Sequence, residues 1–137
     1  MIHPTRALLR QIRSVLMASL IAGLIACAPT ADKAGKMVGT WQGKDPGDQS
    51  NITLQIAFNA GRYTVNANDD KTTPDWCGLT ATASATGTLN QNQELPINLL
   101  WVCDNTNKTS QAFPTTITYN SSNDTISAYS ATFTRVN

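Results

Sequence analysis

The chain has 137 residues, with ten Lys or Arg against nine Asp or Glu and a formal net charge of +1. That length allows one domain with a single core. The charge is unevenly divided, because segment 1–26 holds three arginines and no acid, which leaves seven basic and nine acidic residues in 27–137. This mildly acidic remainder has no basic patch, and it therefore predicts no nucleic-acid partner.

Segment 1–26 has the layout of the leader of an exported protein. The positively charged stretch 1–13 precedes 14–26, an apolar run of 13 residues without a charge. A transmembrane helix takes about 20 apolar residues, so this run is too short to span a bilayer. Its length and its basic flank are typical of a secretory signal peptide, which predicts that 1–26 is cleaved.

The apolar run ends Leu24-Ile25-Ala26-Cys27, which resembles the lipobox of bacterial lipoproteins. The resemblance implies that a lipid joins the Cys27 sulfur, that cleavage follows Ala26, and that acyl chains anchor the protein to a membrane of the cell envelope. Ala28 rather than an acid follows the cysteine, so the family's sorting rule favours the outer membrane if the organism has two membranes. The alternative is a plain signal anchor with an incidental cysteine.

The remainder divides into a short tether and one domain. Segment 27–36 is polar and has no periodicity, which predicts a lipidated flexible tether. Alternation of apolar and polar residues then continues to the end of the chain, so we place the folded domain at 37–137.

The three cysteines fall into one lipid site and one pair. Lipidation of Cys27 leaves Cys77 and Cys103, which in an oxidising compartment predict a structural disulfide. The competing interpretation is a metal or redox site, but there is no CxxC spacing and the only histidine, His3, lies in the leader.

Strand-like alternation predicts an all-β domain without a convincing helix. The expected strands are 37–43, 50–58, 62–68, 79–89, 95–101, 111–119, 124–128 and 130–136. Short turns separate most of them, so sequential hairpins are expected. Eight such strands predict an antiparallel up-and-down barrel, with a β-sandwich as the alternative.

The first strand carries Gly39-Thr40-Trp41, and the last carries Arg135. This pair resembles lipocalins and the wider calycin group, in which the Trp of a Gly-x-Trp motif caps the closed end of the barrel beneath a basic residue. The resemblance implies that Trp41 and Arg135 stack and close the barrel. The chain departs from true lipocalins in its short body, in the absence of a C-terminal helix and in lacking the middle motif. Avidin-like barrels share the opening motif, but no matching set of tryptophans accompanies it.

The sequence offers few side chains that could carry out catalysis. With His3 in the leader, residues 27–137 contain no histidine for a nucleophile–base pair or a metal site. The acid pairs Asp45 with Asp48 and Asp69 with Asp70 could serve acid–base chemistry or calcium, but they lie in loops, where solvated carboxylates are the ordinary expectation. We therefore predict that the protein is no enzyme and takes no cofactor and no metal.

The sequence instead predicts a membrane-anchored envelope lipoprotein with a non-catalytic binding or structural role, carried by the loops at a barrel end. Trp76, in the loop 69–76, and Trp101, near the end of a strand, are the candidate contacts for a protein partner or a ligand. The alternative is a lipocalin-like carrier of a small apolar ligand in the barrel interior. The small inward residues of 79–89 would either leave room for that ligand or let Leu99 and Trp101 pack.

Overall fold

The structure, a computed structural model, describes residues 35–74 and 76–136. The predicted signal peptide, the lipidation site at Cys27 and most of the predicted tether lie outside the described residues. Within the described residues, no helix is long and apolar enough to cross a membrane.

The described part of the chain begins with one helical turn at 35–37 and continues with eight antiparallel strands. They are β1 (Gly39–Lys44), β2 (Asn51–Asn59), β3 (Arg62–Asp69), β4 (Ala81–Gly87), β5 (Leu95–Cys103), β6 (Phe113–Asn120), β7 (Thr125–Ala128) and β8 (Ala131–Val136). Each strand pairs with the next, and β8 pairs with β1, so the sheet closes on itself. This confirms the predicted eight-stranded up-and-down barrel over the alternative sandwich.

The barrel interior follows from the period of two in the strands. In β2 and β3 the inward residues pair across the hairpin, with Leu54 opposite Ala67 and Ile56 opposite Val65, and all four are buried. The hairpin turns at Ala60 and Gly61, which both have positive φ (49° and 79°). Such two-residue turns match the right-handed twist of the strands that they join.

The alternation of apolar and polar residues in the sequence predicts that Phe58 and Leu79 face the barrel interior, but both are exposed. Leu79 is 53% exposed and Phe58 is 44% exposed. Leu79 precedes β4 because Gly78 (φ 73°) bends the chain and Thr72 bonds to the Leu79 carbonyl, so the strand starts two residues later than predicted. Phe58 lies one residue before the end of β2, and its ring packs against Tyr63 with 4.7 Å between ring centroids.

The two ends of the barrel differ. At one end, the closed end, lie residues 35–38 and the turns 60–61, 88–94 and 121–124; at the other, the open end, lie the loops 45–50, 70–80 and 104–112 and the turn 129–130. Large side chains with no exposed surface fill the interior: Trp41, Leu54, Leu95, Leu99, Ile117 and Phe133. Several of them sit in the half towards the closed end, which is therefore solidly packed.

Arg135 clamps the first strand to the last at the closed end. Its guanidinium carbon lies 4.1 Å from the centroid of the Trp41 ring, and its Nη1 donates to the Val38 carbonyl at 2.8 Å. A salt bridge joins its Nε to Asp124 Oδ2 at 2.9 Å. Gly39 leaves space for this clamp: a Cβ there would lie 2.5 Å from Arg135 Nη1, and the φ of 142° disfavours any side chain.

Replacing Arg135 with Met should destabilise the barrel by about 3 kcal/mol, because a cation–π contact and hydrogen bonds from a charged donor are lost together. Urea unfolding of the variant and the wild type measures this difference. Arg62→Met is the matched control, since Arg62 makes one exposed bond to Thr86 and should change stability by less than about 0.5 kcal/mol. Equal losses of unfolding free energy in the two variants would contradict the role of Arg135 as a clamp.

Candidate functional site

A cavity of about 590 Å³ opens at the open end of the barrel. We call it the cup. Four aromatic side chains, from one loop, two strands and one turn, form much of its wall: Trp76, Trp101, Phe113 and Tyr129. Its charged lining residues are Asp45, Asp48, Asp69 and Lys108. A binding site of this size and composition is typical of small-molecule pockets, which combine apolar walls with a few polar groups.

Small residues face inward near this end of the barrel. Ala67, Ala81 and Ala83 face inward near the open end of β3 and β4, and Ala128 and Ala131 do so on β7 and β8. Opposite Ala83, Trp101 of β5 occupies part of the space so provided. Of the two outcomes that the sequence left open, the structure shows the packing of Trp101, and none of these alanines lines the cup.

A disulfide fixes one wall of the cup. Cys77 of the β3–β4 loop is bonded to Cys103, the buried last residue of β5, with 5.8 Å between the two Cα atoms. The predicted disulfide is therefore confirmed. It holds the neighbouring Trp76 at the cup, and Lys108 supports the same segment by donating from Nζ to the Trp76 carbonyl at 3.0 Å.

The opposite wall depends on a strained turn. Tyr129 and Ser130 join β7 to β8 in two residues, with φ of 53° and 60°. Turns of this type favour Asn and Gly, and a left-handed conformation costs other residues roughly 1 kcal/mol. Here that conformation directs the Tyr129 ring towards Trp101, with the ring centroids 6.4 Å apart. Local strain of this kind concentrates at functional sites.

Burial also perturbs the tyrosine hydroxyl. Desolvation raises the pKa of Tyr129 far above its ordinary value, and the Trp101 side chain opposes that shift. The hydroxyl oxygen is buried and makes no hydrogen bond of normal geometry. At neutral pH the side chain is therefore an uncharged aromatic wall.

Asp69 is the buried acid of the cup. It ends β3 on the inner face, is 7% exposed, and accepts a hydrogen bond from the Lys71 backbone N–H at 3.1 Å. Desolvation raises the pKa of its carboxyl; the Ser50 hydroxyl and the Lys71 N–H lower it in part, and the nearby charges of Asp48 and Asp45 raise it further.

The predicted site residues therefore fall into two groups at opposite ends. Trp76 and Trp101 meet at the cup, whereas Trp41 and Arg135 stack at the closed end as the resemblance implied. Among the described residues there is no group of three or more His, Cys, Asp or Glu side chains that could hold a metal ion.

Two lining residues, Tyr129 and Phe113, were not named as site candidates from the sequence, and the expectation that Asp69 is a solvated loop acid is wrong because it ends β3 and is buried. Asp69 shares the inward parity of Tyr63, Val65 and Ala67, and this signal could have marked it as a buried acid. Tyr129 could have been suspected from a two-residue connection without glycine. Phe113 shares the parity of Ile117 in the predicted strand 111–119, and it reaches the rim because it is the first residue of β6, at the open end.

A larger concavity, of about 860 Å³, lies on the outer surface of the barrel. Its lining includes Pro96, Pro114 and Thr116, has no charged side chain, and has Tyr129 as its only aromatic residue. The cup is the better candidate because aromatic and charged groups converge there.

Comparisons with protein-family models, with curated proteins and with solved structures give no significant match to this chain. The fold and the site define its class: a closed eight-stranded antiparallel β-barrel with a cup at one end, an architecture consistent with a lipocalin-like barrel.

Removing the disulfide with Cys77→Ser and Cys103→Ser together should lower the free energy of unfolding by about 3.5 kcal/mol, because the bridge closes a loop of about 27 residues in the unfolded chain. Urea unfolding under non-reducing conditions measures the loss. Reduced wild-type protein is the control and should match the double variant. Unchanged stability in both would show that the bridge contributes nothing.

Asp69→Asn should change how stability depends on pH. A raised carboxyl pKa means that the folded protein binds this proton more tightly than the unfolded chain does. The stabilisation of the folded protein by the protonated Asp69 is then fully present below the ordinary Asp pKa of about 3.9. It is lost as the pH rises through the raised pKa of the folded state. Relative to the wild type, the variant should therefore gain stability as the pH rises from about 3.5 to 7.

Asp70→Asn is the matched control for this pH series. Hydrogen bonds from the Asn51 side chain and backbone lower the pKa of Asp70. Its contribution is present at higher pH and is lost as the pH falls, so this variant should lose stability relative to the wild type as the pH rises. The same trend in both variants would refute the assignment of Asp69 as the desolvated carboxyl.

Proposed function

We propose that this chain is a lipid-anchored lipoprotein of the bacterial envelope that binds a small molecule in the cup of a lipocalin-like barrel. The observation that carries the proposal is the cavity of about 590 Å³ with aromatic walls at the open end. Its volume lies within the range of roughly 300–1,000 Å³ that is usual for small-molecule sites.

The position of the chain's N-terminal side supports an anchored binding protein. Residues 35–38 lie at the closed end, where Arg135 bonds to the carbonyls of Lys36 and Val38. Cys27, the proposed lipid site, precedes them in the chain. A membrane anchor would thus attach on the closed side, and the cup would open away from the membrane towards solutes.

The architecture favours binding without chemical change. The disulfide at Cys103 and the tight turn at Tyr129 fix two walls of the cup before any ligand arrives, which reduces the ordering cost of binding. The body of the chain has no histidine, so a histidine-activated nucleophile has no place in this cup.

A protein partner is the second candidate, and the exposed apolar rim favours it. Leu79 and Phe113, both near the open end, are 53% and 50% exposed. Large exposed apolar residues mark contact surfaces when they cluster. A partner on this rim would cover the cup, whereas a small ligand would enter it.

Blocking the cup distinguishes these two functions. Thr73 is exposed and lines the cup, so Thr73→Trp should fill it and abolish small-molecule binding; Thr88→Trp, on the outer face near the closed end, is the matched control. Native mass spectrometry of the full-length proteins, purified from membranes in detergent, should find a bound molecule in the wild type and in Thr88→Trp only. Tryptophan fluorescence of the wild type should shift when that molecule is removed. A wild type without any bound molecule or fluorescence shift would favour the rim as a protein contact.

Cys27→Ser should release the protein from the membrane fraction, because the acyl chains that provide the anchor would no longer be attached. Membrane flotation and incorporation of labelled palmitate measure the effect in cells that express the full chain. The double replacement of Cys77 and Cys103 by Ser is the control and should keep both label and flotation. Membrane attachment of Cys27→Ser would contradict the lipid anchor.

A further inference from the structure

The cup contains a negative charge that the protein does not neutralise. Asp69 is 7% exposed, lines the cup, and forms no salt bridge with any Lys or Arg in the described part of the chain. Asp45 and Asp48 line the same cavity and add to its negative potential. Burying a carboxylate without a counter-charge is costly, so the fold holds this group there at the expense of its own stability.

The one basic residue of the lining does not serve as that counter-charge. The ammonium of Lys108 donates to the Trp76 carbonyl at 3.0 Å and forms no salt bridge within the described residues. Three carboxylates against one ammonium leave the lining with a net negative charge. An anionic ligand would be repelled, and a neutral ligand would seal Asp69 away from water without a counter-charge.

The walls of the cup suit an organic cation. The rings of Trp101 and Tyr129 stand 6.4 Å apart at a tilt of 48° and form a corner of the cavity, with Trp76 and Phe113 on its other sides. Aromatic faces attract cations within about 6 Å and cover apolar surface at the same time. A bare metal ion would find no group of three ligating side chains among the described residues.

We infer that the cup binds a positively charged amine or quaternary ammonium with an apolar body, with Asp69 as its counter-charge and the aromatic side chains as its wall. This inference rests on the proposed small-molecule function and specifies its ligand class. Binding would neutralise the buried carboxylate and fill the aromatic cavity in a single step.

The test compares three probes that share one apolar body: 3-phenylpropylamine, 3-phenylpropan-1-ol and 3-phenylpropanoate. Titration calorimetry with the full-length protein in a non-ionic detergent should show that the amine binds at least about tenfold more tightly than the alcohol, and the carboxylate most weakly. In Asp69→Asn the preference for the amine should fall to less than about threefold. Asp70→Asn, whose exposed carboxylate lies outside the cup, should keep the wild-type preference.

The outcomes separate this inference from the proposed function. Equal binding of amine and alcohol to the wild type would overturn the cationic ligand and leave a small-molecule cup. A preference for the amine that survives in Asp69→Asn would overturn the role of Asp69. Failure of all three probes to bind a wild type that carries no molecule in native mass spectrometry would overturn both.

Discussion

The stack of Arg135 on Trp41 is the contact that the barrel depends on. It fastens β8 to β1, and the same guanidinium bonds to the Val38 carbonyl and to Asp124, so three separate parts of the chain meet there. An open eight-stranded sheet would present two unpaired edges and invite association with other chains. Closure of the barrel removes both edges. Position 39 requires glycine because the Arg135 guanidinium occupies the space that a side chain would take.

The two ends of the barrel have different roles. Large residues such as Leu54 and Phe133 have no exposed surface in the core, and neither of them lines the cup. The disulfide contributes at the open end by tying the β3–β4 loop to β5. Stability and function are thus divided along the barrel axis: packing and the Arg135 clamp hold one end, and the other end is free to bind.

The cup combines features that a purely structural barrel end would avoid. Tyr129 adopts a left-handed conformation that favours glycine, and Asp69 is a carboxylate buried without a cation. Each lowers the stability of the folded state, and each contributes to one concave surface. Proteins retain destabilising features where binding requires them. Because the backbone strain and the buried charge both occur at the cup, we place function there rather than at the larger concavity on the outer surface.

The sequence alone determined the strands, the hairpin order and the closed barrel, because alternation with a period of two and short turns are local signals that few other folds satisfy. It also indicated the Cys77–Cys103 bridge and the Trp41–Arg135 pair. The tertiary structure decided which side chains form the cup. Trp76 reaches it through a loop that has no periodicity, and the strand start at Ala81 was set by the bend at Gly78. Whether a side chain such as Trp101 fills the space beside the inward alanines depends on the summed volumes of side chains from several strands, and no single segment of the sequence contains that sum.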